Sequence, residues 1–178
     1  MLGYARTRLA LLLSAVLVTI LMSPGSALAA DAVKIDRDAN AALILLNRTT
    51  PAAARLAPQA KAILIFPSMV KAGFIVGAQH GNGALRKGGK TVAYYRMTAA
   101  SYGLQAGVQS FSYAMFLMTD AAVAYLDKSN GWEIGVGPSV VIVDAGMGKT
   151  LTTTTAKDDV YGFIFGQKGL MAGIGLQG

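Results

Sequence analysis

The sequence predicts an α+β domain in which N-terminal helices pack on a strongly curved, mostly antiparallel sheet, barrel-like or sandwich. Three observations predict it. Ile35, Ala39, Ala42, Leu43 and Leu46 recur on one face at helical spacing. Beyond Lys61 the texture changes to short apolar or alternating runs separated by glycine-rich turns. Glycine also falls repeatedly inside those runs, where it marks a bend, a bulge or a close backbone approach.

The elements follow in chain order. Arg6 and Arg8 precede an apolar run from Leu9 to Met22, which Pro24-Gly25 breaks before the small residues Ala27-Leu28-Ala29. That layout predicts a secretory signal peptide over residues 1–29, with a retained anchor as the alternative. Residues 30–60 form the helical segment. Thr50 is placed to cap a short second helix, Pro51 to Ala57, because proline suits the first helical position, where its missing N–H has no partner to lose. Residues 61–178 form the β-rich core. AILIF (Ala62 to Phe66) is apolar enough to be buried on both faces, and Val70, Phe74 and Val76 share one face of the next strand. HGNG (His80 to Gly83) and KGGK (Lys87 to Lys90) are expected turns. TVAYY, the run through Tyr102 to Val108, FSYAMFLM, WEIGVG, VVIVDA, KTLTTTT, VYGFIFG and LMAGIGL are expected strands. Thr119 caps a short helix, Asp120 to Leu126. GFIVG (Gly73 to Gly77) is echoed by GFIFG (Gly162 to Gly166).

Composition narrows the function. With no cysteine there is no disulfide and no lipidation of a mature N-terminal Cys. Losing Arg6 and Arg8 with the leader leaves 14 basic residues against 9 acidic, a net charge of +5, which favours anionic partners such as phospholipid or acidic glycan. The charge is too diffuse for nucleic acid, and no nucleic-acid motif accompanies it. The Gly148-Lys149-Thr150 loop imitates a phosphate-binding loop. That loop needs a glycine where Val143 stands, and a helix where four threonines follow. A hairpin through Ala145 to Gly148 is expected instead, with no nucleotide.

Catalytic chemistry is equally poor. His80 is the only histidine, which excludes a histidine-rich zinc site and leaves any triad dependent on a turn residue. Asp158 and Asp159 are adjacent; on a strand they would point to opposite faces and could not easily share a substrate, and the plainer expectation is a solvated turn before the strand at Val160. Asp36 and Asp38 are expected near a helix start, and Asp144 at a strand end facing a turn. No catalytic residue, metal or cofactor is expected.

Two binding candidates remain. Arg86, Lys87 and Lys90 lie in or beside a hairpin turn, where their charges can reach one anionic surface, or where they simply keep a turn soluble. At about 1 kcal/mol per cation near an anionic membrane, they give weak, reversible binding and need a second signal such as exposed apolar side chains. Gly103, Gln105, Gly107 and Gln109 share a strand face opposite Tyr102, Leu104, Ala106 and Val108. That face is a solvent-facing strand side, or a groove in which glutamines hold a polar end. Lys71, Gln105 and Gln109 complete the candidate lipid-contacting set.

AKAILIFPSMVKAGFIVG (Ala60 to Gly77), GALRKGGKTVAYYRMTAASYGLQAGVQS (Gly83 to Ser110) and FLMTDAAVAYL (Phe116 to Leu126) resemble the SYLF domain family, also described as a yeast-type actin-patch domain. NGWEIGV (Asn130 to Val136) and TTTTAKDDVYGFIFGQKGLMAG (Thr152 to Gly173) continue the resemblance. With the expected leader, the chain looks like the secreted bacterial branch of that family. The resemblance implies contact with membrane lipid, notably phosphoinositides in eukaryotic members, some of which bind actin. It also implies a glycine-rich turn where Gly148-Lys149 stands, without need of the lysine. Two departures stand out. No SH3 domain lies within these residues, and the N-terminal helix mixes Lys34 and Arg37 with Asp31, Asp36 and Asp38, unlike a basic membrane-binding helix.

The expectation is therefore a non-catalytic lipid or membrane-surface binding protein, exported to the periplasm or envelope, with anionic phospholipid as partner. A protein-interaction module, actin-binding-like or with an envelope protein as partner, is the alternative. A small outer-membrane barrel fits less well, because AILIF and VVIV are apolar on both faces where such a barrel alternates.

Overall fold

The computed structural model describes residues 24–128, 137–143 and 157–177, with backbone alone at 24–30, 75–76, 101–105 and 171–177. The chain divides into two compact units, Met1–Lys34 and Ile35–Gly178. Helix α1 (Pro24–Thr49) begins in the first and continues in the second, followed by α2 (Pro51–Leu56) and a 3-10 turn (Ala57–Gln59). Strand β1 (Ala62–Lys87) and β2 (Lys90–Leu117) form one long hairpin; α3 (Asp120–Lys128), β3 (Val140–Val143) and β4 (Val160–Gln177) complete the described elements.

The break between α1 and α2 has a local cause. A residue before proline is pushed out of the helical region, and Thr50 is extended at φ −129°, ψ 95°. Thr50 occupies the cap position, but its hydroxyl makes no capping bond, contrary to expectation. At α3 the expected cap is made: the Ala122 N–H donates to Thr119 Oγ1 at 3.2 Å.

Among the described residues the sheet has four strands in the order β1-β2-β4-β3, antiparallel except for the β3–β4 pair. It is an α+β arrangement as expected. The sheet is neither closed nor strongly curled, so the barrel-like closure expected from the glycines is not formed among these residues. The glycines serve a local bend instead. A Cβ at Gly83 would stand 2.6 Å from the Ile65 carbonyl oxygen and from the Phe66 ring, and one at Gly81 would stand 2.8 Å from the Ser68 carbonyl oxygen. The far half of β1 therefore lies against its own near half, and only residues without side chains fit there.

HGNG is strand, not turn: His80 to Gly83 pair with Thr98 to Tyr95. KGGK is the turn, with Gly88 at φ +56° and Gly89 at φ +80° between the paired Lys87 and Lys90, as a two-residue hairpin whose twist matches its strands requires. The separate strands expected from TVAYY to FSYAMFLM are one continuous β2, and VYGFIFG and LMAGIGL are one β4. The echoed pentapeptides flank β2 on both sides, but Gly73 pairs with Gly107 and Gly162 with Met115, so they are not equivalent positions. The Gly148-Lys149-Thr150 loop, the threonine run, Asp144 and WEIGV lie outside the described residues.

Both faces of the near half of the sheet are covered. Ala39, Ala42 and Leu46 of α1, with Ala52, Ala53 and Leu56 of α2, join Ile65, Ala114, Phe116, Tyr161 and Phe163 in one cluster. The alternate residues Leu64, Phe66, Met115, Leu117 and Val160 join Ala122 and Val123 of α3 in the other. AILIF is thus buried from both sides, as its composition predicts. Tyr113 lies over Phe66, with ring centroids 6.4 Å apart, and burial pushes its hydroxyl pKa up to about 12.

Candidate functional site

The hairpin cations do not converge. Neighbouring strand residues point to opposite faces. Arg86 turns towards α1, where its Nη1 donates to Asn40 Oδ1 while its Nε is buried without a hydrogen-bond partner. Beside it, Thr91 and Tyr94 donate to the two carboxylate oxygens of Asp36 at 2.7 and 3.0 Å. Lys87 turns the other way, 4.0 Å from Asp127 of α3. Lys90 is exposed. The three-cation patch expected at the turn is therefore split between two faces. A hollow of about 310 Å³ beside the turn, lined by Leu43, Pro58, Ile63, Arg86, Gly88 and Gly89, has an apolar floor.

Lys71 and Gln109 are brought together as cross-strand partners, and both are half-buried. Gln105 pairs through its backbone with Gly173. The solvent-facing side expected for the glutamines is thus partly covered, and the open side is the apolar one. Phe74, Val108 and Leu170 are 75%, 61% and 89% exposed, and Val70, Ala72 and Ala106 are exposed with them.

These residues form rows across three strands. Ala72 pairs with Val108 and Val108 with Leu170; Phe74 pairs with Ala106; Val70 pairs with Ser110 and Ser110 with Lys168. Register partners share a face, so all these side chains stand on one side of the sheet. The rows carry no carboxylate, and Lys168 is their only charge.

Two bulges set this open area apart from the covered half. Pro67 and Ser68 of β1 stand opposite Ser112 alone, and Gly166 and Gln167 of β4 stand opposite Phe111 alone. Gly166 adopts φ +62°, the left-handed backbone that such a bulge takes and that favours glycine. Buried Ser112 donates to the Pro67 carbonyl oxygen at 2.8 Å, which occupies a polar group the bulge would otherwise strand. A second hollow of about 300 Å³, lined by Asp38, Ala41, Leu45, Pro67, Ser68 and Ser112 among others, opens at this line next to the exposed Ile44 and Leu45 of α1. Phe74, Val108 and Leu170 were legible in the sequence only as members of alternating strands. Nothing in the alternation says that α1, α2 and α3 stop short of them.

The other titratable groups have structural partners. His80 is a strand residue whose Nδ1 lies 3.5 Å from Thr98 Oγ1. Asp36 and Asp38 lie within α1 rather than at its start, which reverses the expectation for them. Asp38 pairs with Arg37 at 3.0 Å. Asp158 and Asp159 lie in the bend before β4 rather than on a strand, and they take different partners: Tyr161 donates to Asp158 Oδ2 at 3.2 Å. Asp159 instead ties three segments together. It accepts from Thr119 Oγ1 at 2.9 Å and from the Ser139 N–H and hydroxyl at 3.1 and 3.2 Å. The Thr119 hydroxyl and the Ser139 bonds hold its pKa below the usual carboxylate value. A depressed carboxylate pKa contributes stability that is full above its unfolded value near 3.9 and is lost as pH falls through the lower folded value. Asp159→Asn is expected to cost about 1 kcal/mol at pH 7, with the gap to wild type closing below about pH 4. Urea denaturation across that range measures it.

Residues 98–178 match the family described as "Ysc84: Las17-binding protein actin regulator". Residues 98–178 belong to the SYLF family. No curated protein matches the chain. The SYLF segment contributes β2 from Thr98 onward and all of α3, β3 and β4, and so supplies Ala106, Val108, Ser110, Lys168 and Leu170 of the open face. Residues Val70, Ala72 and Phe74, which complete that face from β1, precede the matched segment. Among the described residues no helix is long and apolar enough to cross a membrane, and no three potential metal ligands cluster.

Proposed function

We propose that this protein is a non-catalytic lipid or membrane-surface binding module, exported to the cell envelope, whose partner is anionic phospholipid. The observation that carries this reading is the exposed apolar sheet face, free of carboxylates, on a chain with net positive charge. Contiguous exposed apolar surface marks an interaction site. Positive charge selects an anionic one. Charge and apolar area are the two signals that reversible membrane attachment needs together. SYLF membership supports a lipid- or actin-binding module at the coarser level. The export signal is read from Arg6, Arg8 and the apolar run that follows them.

Co-sedimentation of the chain from Ala30, which contains the whole compact unit from Ile35, tests the reading. Binding to vesicles rich in phosphatidylglycerol is expected to exceed binding to phosphatidylcholine vesicles. It should weaken as salt shortens the screening length from about 10 Å at 0.1 M to about 3 Å at 1 M. Lys87→Gln with Lys90→Gln is expected to remove at most about 2 kcal/mol, because each contributes about 1 at best and Lys87 already faces Asp127. Absence of binding to either vesicle at low salt overturns the proposal.

The family description, with its Las17-binding and actin-regulating members, supports a second reading as a protein-interaction module. In that case a protein from the same compartment, and no vesicle, is retained by the immobilised chain.

A further inference from the structure

We infer that the open face of the β1-β2-β4 sheet is the part of the molecule that enters the bilayer surface, with Phe74 and Leu170 among the lipid chains and Lys168 at an anionic headgroup. This rests on the lipid-surface reading above and names its contact site, which is not the hairpin turn.

The residues argue for this occupant in three steps. Among the described side chains Phe74 and Leu170 are the most exposed large apolar ones on the sheet, and they stand in adjacent rows of one face with Val108 between their strands. Same-face rows lie two residues apart, about 7 Å, so Lys168 stands one row from Leu170 and within side-chain reach of a headgroup above it. A lysine at the margin of an apolar patch keeps its stem on the patch and its ammonium in the polar layer.

Charge decides between a bilayer and a second copy of the chain. A two-fold self-interface presents the same patch from both sides. Lys168 would then meet a surface of valine, alanine, leucine, phenylalanine and serine with no carboxylate to receive it. Among the described carboxylates, Asp158 and Asp159 precede β4 and Asp120 and Asp127 lie on α3. Asp36 of α1 accepts from Thr91 and Tyr94, and Asp38, at the hollow beside the bulges, is paired with Arg37. An anionic lipid surface supplies both the apolar layer and the missing negative charge.

The absence of cysteine makes the test direct. Single cysteines at Phe74, Leu170 and, as control, the exposed Ala124 of α3 are labelled with an environment-sensitive fluorophore and mixed with phosphatidylglycerol vesicles. Labels at 74 and 170 are expected to shift to the blue and brighten severalfold, and the label at 124 to stay as in buffer. Phe74→Gln with Leu170→Gln, both at exposed positions, is expected to keep the wild-type circular dichroism and lower vesicle partitioning at least about tenfold. Lys168→Gln is expected to weaken binding to anionic vesicles and leave the residual binding to neutral ones unchanged. If wild type sediments with vesicles while the label at 170 remains in water, or while the double variant binds equally well, the face is not the contact site although the lipid reading survives. If wild type binds no vesicle, both fall. A dimer in sedimentation velocity that the double variant splits would assign the face to self-association and overturn the inference.

Discussion

Phe116→Ala is expected to remove about 3–5 kcal/mol of folding stability. Phe116 is fully buried at the centre of the cluster that joins α1 and α2 to the sheet. Its ring centroid lies 4.9 Å from that of Phe163 on the neighbouring strand β4, at an interplanar angle of 55°. Truncation loses the transfer of a whole ring from water and leaves a cavity that two flanking strands and a helix cannot collapse into. A domain of this size holds about 5–15 kcal/mol in total, so the variant keeps only part of its margin. Phe163→Ala should behave similarly. The two losses should fall short of additive, with a coupling of about 1 kcal/mol for the tilted pair. Urea denaturation of the four members of that cycle measures both quantities. A loss below about 1 kcal/mol for Phe116→Ala would mean that the helices do not pack on this face of the sheet.

Gly83→Val is expected to destabilise by about 3 kcal/mol or more, and Gly83→Ala by about 1–3. A Cβ at this position meets a backbone carbonyl oxygen at 2.6 Å and the ring of Phe66 at 2.6 and 2.8 Å. Neither neighbour can give way. The carbonyl belongs to Ile65 in the same sheet, and Phe66 is buried and stacked against Tyr113. Gly88 is the contrast, since a Cβ there meets nothing within 4 Å and the only requirement is its φ of +56°. Gly88→Asn should therefore cost a few tenths of a kcal/mol, because asparagine is the residue that best tolerates this backbone in a two-residue hairpin turn. Thermal and urea midpoints of the three variants report the difference. If Gly83→Ala and Gly88→Asn were equally mild, the backbone at Gly83 would not lie against Ile65 and Phe66.

Much of the local structure was legible because its causes are local. The helical spacing of Ile35, Ala39, Ala42, Leu43 and Leu46 named the buried face of α1, and Pro51 fixed where that helix had to stop. Thr119 at the cap of α3 and the paired glycines of KGGK were equally readable, since each signal refers only to its own few residues. HGNG carries the same composition as a turn and yet lies inside β1. Its glycines answer to Ser68, Met69 and Phe66, which approach from the same strand far away in sequence. The basic patch failed for a related reason. Proximity in sequence placed Arg86 beside Lys87, but strand alternation sends one to Asn40 and the other towards Asp127.

The sequence by itself determined the helix-then-sheet order, the helical faces, the true hairpin turn and, between one bulge and the next, the alternation of side chains along each strand. A period of two states which side chains share a face, but it is symmetric between the faces. Only the tertiary structure decided which set is covered. The helices reach as far as the bulges beside Ser112 and leave Val70, Phe74, Val108 and Leu170 in the open, while Lys71 and Gln109 are half-buried on the other side. That choice depends on where α1, α2 and α3 find complementary surface, a property of contacts between distant segments that no single stretch of sequence contains.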